Sequence, residues 1–274
     1  MQVPIDINSF LIQAIQAAFY AGQKVLNIYN SKHIPFQLKQ DLSPLTFADI
    51  ASNQIIIEYL EPLGLPFISE ESEKTSYYLR KEWSYFWLID PLDGTKEFLH
   101  HNGEFTINIA LIHKNKAIIG VIFIPVYNEL YFASSLLGSY KASNITRFSQ
   151  IESLPTVLAN SIKLPIYTIS DRYIIVLSRS HSDKKTDLYI QSFPFSGLSI
   201  EKLYKGSSLK FCMVAEGSAH LYPRIGKTME WDTAAGTAIA EFANASTYQL
   251  NTKNPLLYNK KKFENPNFVT KRNN

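Results

Sequence analysis

Trp87-Leu88-Ile89-Asp90-Pro91-Leu92-Asp93-Gly94-Thr95-Lys96-Glu97-Phe98 carries more information than any other part of the chain. Residues 86–89 are apolar and β-prone, so they read as a buried strand. The strand runs into a turn that holds two carboxylates, Asp90 and Asp93. Pro91 fixes one backbone angle and Gly94 permits a sharp bend. Thr95 follows with a free hydroxyl. Two carboxylates, an intervening carbonyl and a hydroxyl at one strand end suit a hard divalent cation held against a phosphate. Magnesium takes about six oxygens near 2.1 Å and keeps some of its waters.

The plain alternative is a solvated Asx-type turn after a strand. One sharper alternative is excluded by position 91. Haloacid-dehalogenase-type phosphatases need a nucleophilic Asp two residues before the second Asp, and Pro91 stands there. The acids therefore read as metal ligands and not as a nucleophile–acid pair.

Working outward, the chain has 274 residues, of which 46% are hydrophobic and 13% aromatic. That suits one large domain or two fused lobes. The formal charge of +3 is too mild to indicate a nucleic-acid polymer as partner. A single cysteine, Cys212, excludes an intrachain disulfide and a cysteine-based metal site. It also fits a reducing compartment. The first residues lack a basic region followed by an apolar run, so we expect no signal peptide and a cytoplasmic protein. The basic residues Lys260, Lys261, Lys262, Lys271 and Arg272 read as a solvated tail, with peripheral contact to an anionic membrane face as the alternative.

Before the central stretch, residues 7–30 predict an amphipathic helix, with Leu11, Ile15, Phe19 and Leu26 at helical spacing. Residues 31–44 read as a loop. A second helix opens at Thr46-Phe47-Ala48-Asp49, a capping-box pattern with Asp in the last place, and runs to about residue 60. Asp49 is on this reading a helix-start acid. A short strand over 65–68 leads into Ser69-Glu70-Glu71. If that strand lies beside 86–89, Glu70 meets Asp90 and Asp93, and three carboxylates that close need a cation.

After it, residues 104–112, 116–124 and 129–133 read as strands of an antiparallel meander. Residues 134–171 are mixed and mark the junction of two lobes. Beyond them strands over 173–177, 200–204 and 219–224 alternate with helices over 182–193, 207–215 and 231–242. Gly206-Ser207-Ser208-Leu209-Lys210 at a helix start offers backbone amides and an ammonium to an anion; the plain alternative is an ordinary Ser cap. Arg224 at a strand end could fork onto a phosphate or lie on the surface. His181 could contact a phosphate or base, or be a satisfied loop histidine.

Taken together, Ser69-Glu70-Glu71, Asp90-Pro91-Leu92-Asp93-Gly94-Thr95 and Trp231-Asp232-Thr233-Ala234-Ala235-Gly236 resemble the inositol-monophosphatase-like family of lithium-sensitive, Mg²⁺-dependent phosphatases. Finer matches point to its branch of 3′(2′),5′-bisphosphate nucleotidases. They include Asp41-Leu42-Ser43-Pro44, Asn102-Gly103-Glu104-Phe105, Ser178-Arg179-Ser180-His181, Gly206-Ser207-Ser208-Leu209-Lys210 and Leu221-Tyr222-Pro223-Arg224. The resemblance covers nearly the whole chain.

It implies an α+β / α/β fold, a layered α/β/α/β/α sandwich of the inositol monophosphatase and fructose-1,6-bisphosphatase type. Residues 1–150 would form an N-terminal α+β lobe with most metal ligands. Residues 151–274 would form a C-terminal α/β lobe with the nucleotide-binding residues and Asp232. The resemblance implies two or three Mg²⁺ held by Glu70, Asp90, the Leu92 carbonyl, Asp93 and Asp232. Catalysis would fall to Asp49 and Thr95, which pair to activate the attacking water, with Glu70 and Asp93. Substrate contacts would come from Glu70, Gly94, Thr95, His181, Ser207, Lys210, Arg224 and Asp232.

The implied reaction is hydrolysis of the 3′-phosphate of adenosine 3′,5′-bisphosphate to AMP and phosphate by metal-activated water, in a monomer or homodimer. The implied role is disposal of a by-product of sulfate assimilation. The rival readings are a sugar-phosphate phosphatase such as an inositol monophosphatase, with the same metal cage, and a binding protein with a decayed site.

Overall fold

The apolar strand expected over residues 86–89 lies within a central sheet and is buried on both faces, Phe86 and Leu88 on one and Trp87 and Ile89 on the other. In the computed structural model, which describes residues 5–31, 36–38, 44–169, 171–179, 184–192 and 197–273, the elements follow in this order. The first half holds α1 (Ile7–Tyr29), β1 (Phe36–Leu38), β2 (Pro44–Thr46), α2 (Phe47–Leu60), β3 (Phe67–Ser69), α3 (Tyr77–Arg80), β4 (Tyr85–Asp93) and α4 (Thr95–Leu99). It continues with β5 (Thr106–His113), β6 (Lys116–Ile124), β7 (Glu129–Ser134), β8 (Gly138–Ala142), α5 (Leu154–Ala159) and β9 (Ser161–Lys163). The second half holds β10 (Arg172–Ser178), α6 (Lys184–Gln191), β11 (Ser199–Lys205), α7 (Leu209–Glu216), β12 (Leu221–Arg224), α8 (Glu230–Glu241), β13 (Ala245–Gln249) and β14 (Phe268–Arg272).

Among the described residues, strands β3 to β9 form a seven-stranded sheet in sequence order, and a five-stranded sheet has the order β11-β10-β12-β14-β13. The meander is antiparallel as expected, except that β3 lies parallel to β4. Its last strand, Ser161–Lys163, draws on residues beyond 150, and the chain passes to the second sheet between there and Arg172.

Period-two alternation sorts the core into layers. Ile107, Ile109 and Leu111 of β5 belong to the core on the α1 side, whereas Ala110 and Ile112 belong to the core on the α8 side. On β10, Ile174 and Val176 join that second core, and Ile175 and Leu177 face Ile190 of α6. The product is the expected α/β/α/β/α sandwich. Sheets apolar on both faces must be covered on both.

Three expectations change. The segment over 31–44 is not all loop, since Phe36–Leu38 pairs antiparallel with Pro44–Thr46. The turn after Ile89 is a continuation of β4 with a bulge. The basic residues near the carboxyl end are only in part solvated: Lys261 and Lys262 are exposed, but Lys260 Nζ sits 2.7 Å from the fully buried Glu230 carboxylate, and Lys271 and Arg272 belong to β14. Among the described residues no helix is long and apolar enough to cross a membrane.

Candidate active site

The parallel pairing of β3 with β4 sets Ser69 opposite Ile89, which brings Glu70 level with Asp90. The Glu70 N–H donates to the Ile89 carbonyl at 3.1 Å. Against β5, Asp90 pairs with Asn108 and Asp93 with Thr106, so β4 carries one residue more than its partner. Such a bulge bends the strand and re-aims its side chains. Pro91, which cannot donate to a ladder, is tolerated there. Its carbonyl accepts the Ser52 hydroxyl of α2 at 2.6 Å, and the Leu92 N–H donates to Asp90 Oδ1 at 3.2 Å.

Asp232 arrives from the other side of the sheet. It is in the first turn of α8, where its Oδ2 accepts the Met229 N–H at 2.8 Å and caps the helix. The helix can lie close on β6 because residue 120 is glycine: a Cβ there would stand 2.4 Å from the Ala235 carbonyl oxygen. One oxygen from each of Glu70, Asp90 and Asp232 lies within 4.8 Å of the others.

Burial first, and then the neighbouring Glu70, Asp93 and Asp232, push the Asp90 carboxyl well above the usual carboxylate range. Asp232 is pushed up likewise, by burial and then by Asp93 and Glu70. Charges so placed ionise together only with a cation between them. The donor set is oxygen alone, which suits a hard ion such as Mg²⁺.

Asp93, expected among the ligands, has its Oδ2 turned to the second half of the chain. That oxygen accepts the hydroxyls of Ser207 at 2.7 Å and Ser208 at 2.9 Å. It lies outside the group of three close carboxylates but near enough to raise both Asp90 and Asp232. The Leu92 carbonyl stands 3.4 Å from the Thr95 hydroxyl.

Asp49 caps its helix and also reaches Thr95. Oδ2 of this buried residue accepts the Thr46 N–H at 2.7 Å and the Thr46 hydroxyl at 2.6 Å. Oδ1 accepts the Thr95 hydroxyl at 3.1 Å. Gly94, with φ +91°, turns the chain between Asp93 and Thr95, and a Cβ there would come 3.1 Å from the Glu104 carbonyl.

A cavity of about 340 Å³ opens over these groups. Glu70, Asp93, Thr95 and Asp232 line it together with Ser207, Lys210 and Arg224. Ser207 has φ +50° and its hydroxyl contacts Thr106 Oγ1 at 2.6 Å, so neither it nor Ser208 serves as an ordinary cap. Lys210 is buried, and its ammonium bonds the carbonyls of Lys205 and Ser207. Burial pushes it down to about 8, with Asp93 opposing. Arg224 donates to the Ser178 hydroxyl at 3.1 Å and the Lys227 carbonyl at 2.9 Å. His181 lies outside the described residues.

The supporting roles of two residues were not read from the sequence, although Asn108 ends the 102–108 stretch that carries the family resemblance. Asn53 of α2 accepts the Ser69 hydroxyl and donates to the Ser72 hydroxyl, fixing the turn that carries Glu70. Asn108 donates to Ser208 Oγ at 2.9 Å. The available signal was a buried amide in an otherwise apolar strand.

The close carboxylates could hold a metal ion, and the model of the inositol monophosphatase family, a family of metal-dependent phosphatases, matches residues 6–274. The chain belongs to that family. It is 39% identical to the 3′(2′),5′-bisphosphate nucleotidase CysQ of Salmonella typhimurium, over 94% of this chain and 98% of the relative. It is 40% identical to the CysQ of Escherichia coli K12, with the same coverage. The crystal structure of CysQ from Bacteroides thetaiotaomicron superposes with a TM-score of 0.90 at 42% identity, covering 97% of this chain and 98% of that one.

Proposed function

We propose that the chain is a Mg²⁺-dependent phosphomonoesterase that hydrolyses the 3′-phosphate of adenosine 3′,5′-bisphosphate to AMP and phosphate. The observation that carries this reading is the grouping of Glu70, Asp90 and Asp232 at a cavity that Glu70, Asp232 and Thr95 line together with Ser207, Lys210 and Arg224. The likeness to the CysQ relatives supports the substrate.

Glu70, Asp90, Asp232, the Leu92 carbonyl and Asp93 would hold the metal ions, two or three in number. Bound there, Mg²⁺ supplies charge neutralisation for the leaving oxygen and lowers the pKa of a water. Asp49 holds the Thr95 hydroxyl so that Thr95 orients the attacking water, whose proton passes toward the Thr95–Asp49 pair. Ser207, Lys210, Arg224 and His181 would take the nucleotide and its 5′-phosphate. On this reading the attacking group is water, so no phosphoenzyme forms.

The reading extends to Li⁺ inhibition, a role in sulfur metabolism, and action in the cytoplasm as a monomer or homodimer. Peripheral contact with the inner membrane face is tested by sedimentation with anionic vesicles. The deciding measurement is Mg²⁺-dependent phosphate release from adenosine 3′,5′-bisphosphate, inositol 1-phosphate and fructose 1,6-bisphosphate. Preference for either sugar phosphate over the nucleotide overturns the substrate, and no release from any overturns the activity.

A further inference from the structure

Glu104 precedes β5 and is 4% exposed. Both of its oxygens are occupied from the other half of the chain. Oε1 accepts from Arg179 at 2.8 Å and from Lys205 Nζ at 3.1 Å. Oε2 accepts Arg179 Nε at 2.8 Å and the Gly206 N–H at 2.7 Å. Arg179 follows β10, Lys205 ends β11 and Gly206 opens the turn into α7. One carboxylate thus gathers the ends of two adjacent parallel strands of the second sheet.

The contact continues along the backbone. A Cβ at position 206 would stand 2.8 Å from the Glu104 carbonyl oxygen and 2.6 Å from Glu97 Cγ, so the turn lies directly against this loop. Downstream of Gly206, Ser207 reaches Asp93 and Lys210 reaches back to the carbonyls of Lys205 and Ser207. Arg179, Lys205, Gly206 and Ser207 all line the active-site cavity.

We propose that Glu104 is a positioning residue: it locks the Arg179 fork and the Lys205–Ser208 turn into one unit, and so sets the phosphate-contacting wall of the cavity against the carboxylate wall. The inference rests on the nucleotide reading of that wall. Burial alone would raise the Glu104 carboxyl, yet the bonds from Arg179, Gly206 and Lys205 hold it down at about 2, as expected for a carboxylate shared by four donors. Its charge also engages two cavity cations, leaving Lys210 and Arg224 deeper in the site to meet an anion.

Glu104→Gln tests this, because an amide has one acceptor. Whichever way it turns, its NH₂ meets either Arg179 with Lys205 or Arg179 with Gly206. We expect KM for adenosine 3′,5′-bisphosphate to rise about tenfold with kcat changed less than about threefold. AMP binding by calorimetry should weaken about tenfold, while the Mg²⁺-induced rise in unfolding temperature is retained. Glu104→Asp, which keeps the charge, should recover part of the loss. If Glu104→Gln does not fold, Arg179→Gln carries the test with a smaller rise, about threefold. Unchanged KM and AMP affinity in the folded variant overturn the proposal. So does loss of the Mg²⁺ shift in step with activity, which marks a general structural role. If the wild-type protein releases phosphate from inositol 1-phosphate alone, the nucleotide reading fails separately. The variant is then measured on that substrate, where an unchanged KM sinks Glu104 as well.

Discussion

Ser208 stands 2.9 Å from the Asp93 carboxylate although 115 residues separate them, and its hydroxyl also lies 3.2 Å from the Asp232 carbonyl. Asn108 donates to the same hydroxyl. One small side chain therefore ties the bulged strand to the two helices that close the site. Ser208→Ala would leave a buried amide and a carboxylate oxygen each short of a partner. We expect a loss of about 1–3 kcal/mol, read as a lower urea midpoint at unchanged slope.

Asp90→Asn separates a metal centre from a purely structural acid cluster. Without metal, the variant removes a buried charge facing Glu70, Asp93 and Asp232, so its unfolding temperature should rise. With Mg²⁺, the wild-type protein should gain stability and the variant should gain little. Phosphate release should fall by at least about a hundredfold. A variant that keeps both the Mg²⁺ shift and the activity removes Asp90 from the cation site.

Thr95→Ala and Asp49→Asn should each slow turnover by about a hundredfold to ten-thousandfold, the range for a positioned proton-transfer group. Metal binding should survive Thr95→Ala, measured by calorimetry. The double variant should lose little more than the worse single one, since the two groups share the 3.1 Å bond.

Lys210 titrates near 8 in the free protein because burial disfavours its charge. It is cationic below that pH and neutral above it. The kcat/KM for the nucleotide should therefore fall as pH rises through about 8. Lys210→Met should lower kcat/KM throughout and abolish that limb. An inositol phosphate, with no second phosphate for Lys210 to meet, should show no such limb.

Glu104 supplies an acid-limb signature of its own. Its carboxyl lies at about 2 when folded, against an ordinary 4.5. The folded state is therefore favoured above the ordinary value, and that contribution fades as pH falls from 4.5 toward 2. Acid unfolding monitored by circular dichroism should begin at higher pH when the clamp is lost in Glu104→Gln.

The sequence by itself determined the main local pieces, though not the short β1–β2 pair or the continuation of β4 past Ile89. Alternation marked both faces of β5 and β6, the capping pattern placed Asp49 in the first turn of α2, and the run from Asp90 to Thr95 set the acids at a strand end. These features depend on neighbours within about four positions, where backbone sterics and side-chain period leave few choices. The resemblance named the acids as one set, and only the tertiary structure decided how they meet. The bulge in β4 aims Asp90 and Asp93 at different partners, and the glycine at position 120 lets α8 deliver Asp232 to Glu70. The hydroxyls of Ser207 and Ser208 go to Asp93 across the seam rather than to their own helix. The contacts of Asp232 with Glu70 and of Ser207 and Ser208 with Asp93 join residues more than a hundred positions apart, and their geometry follows from how two sheets and a helix pack, which no local pattern encodes.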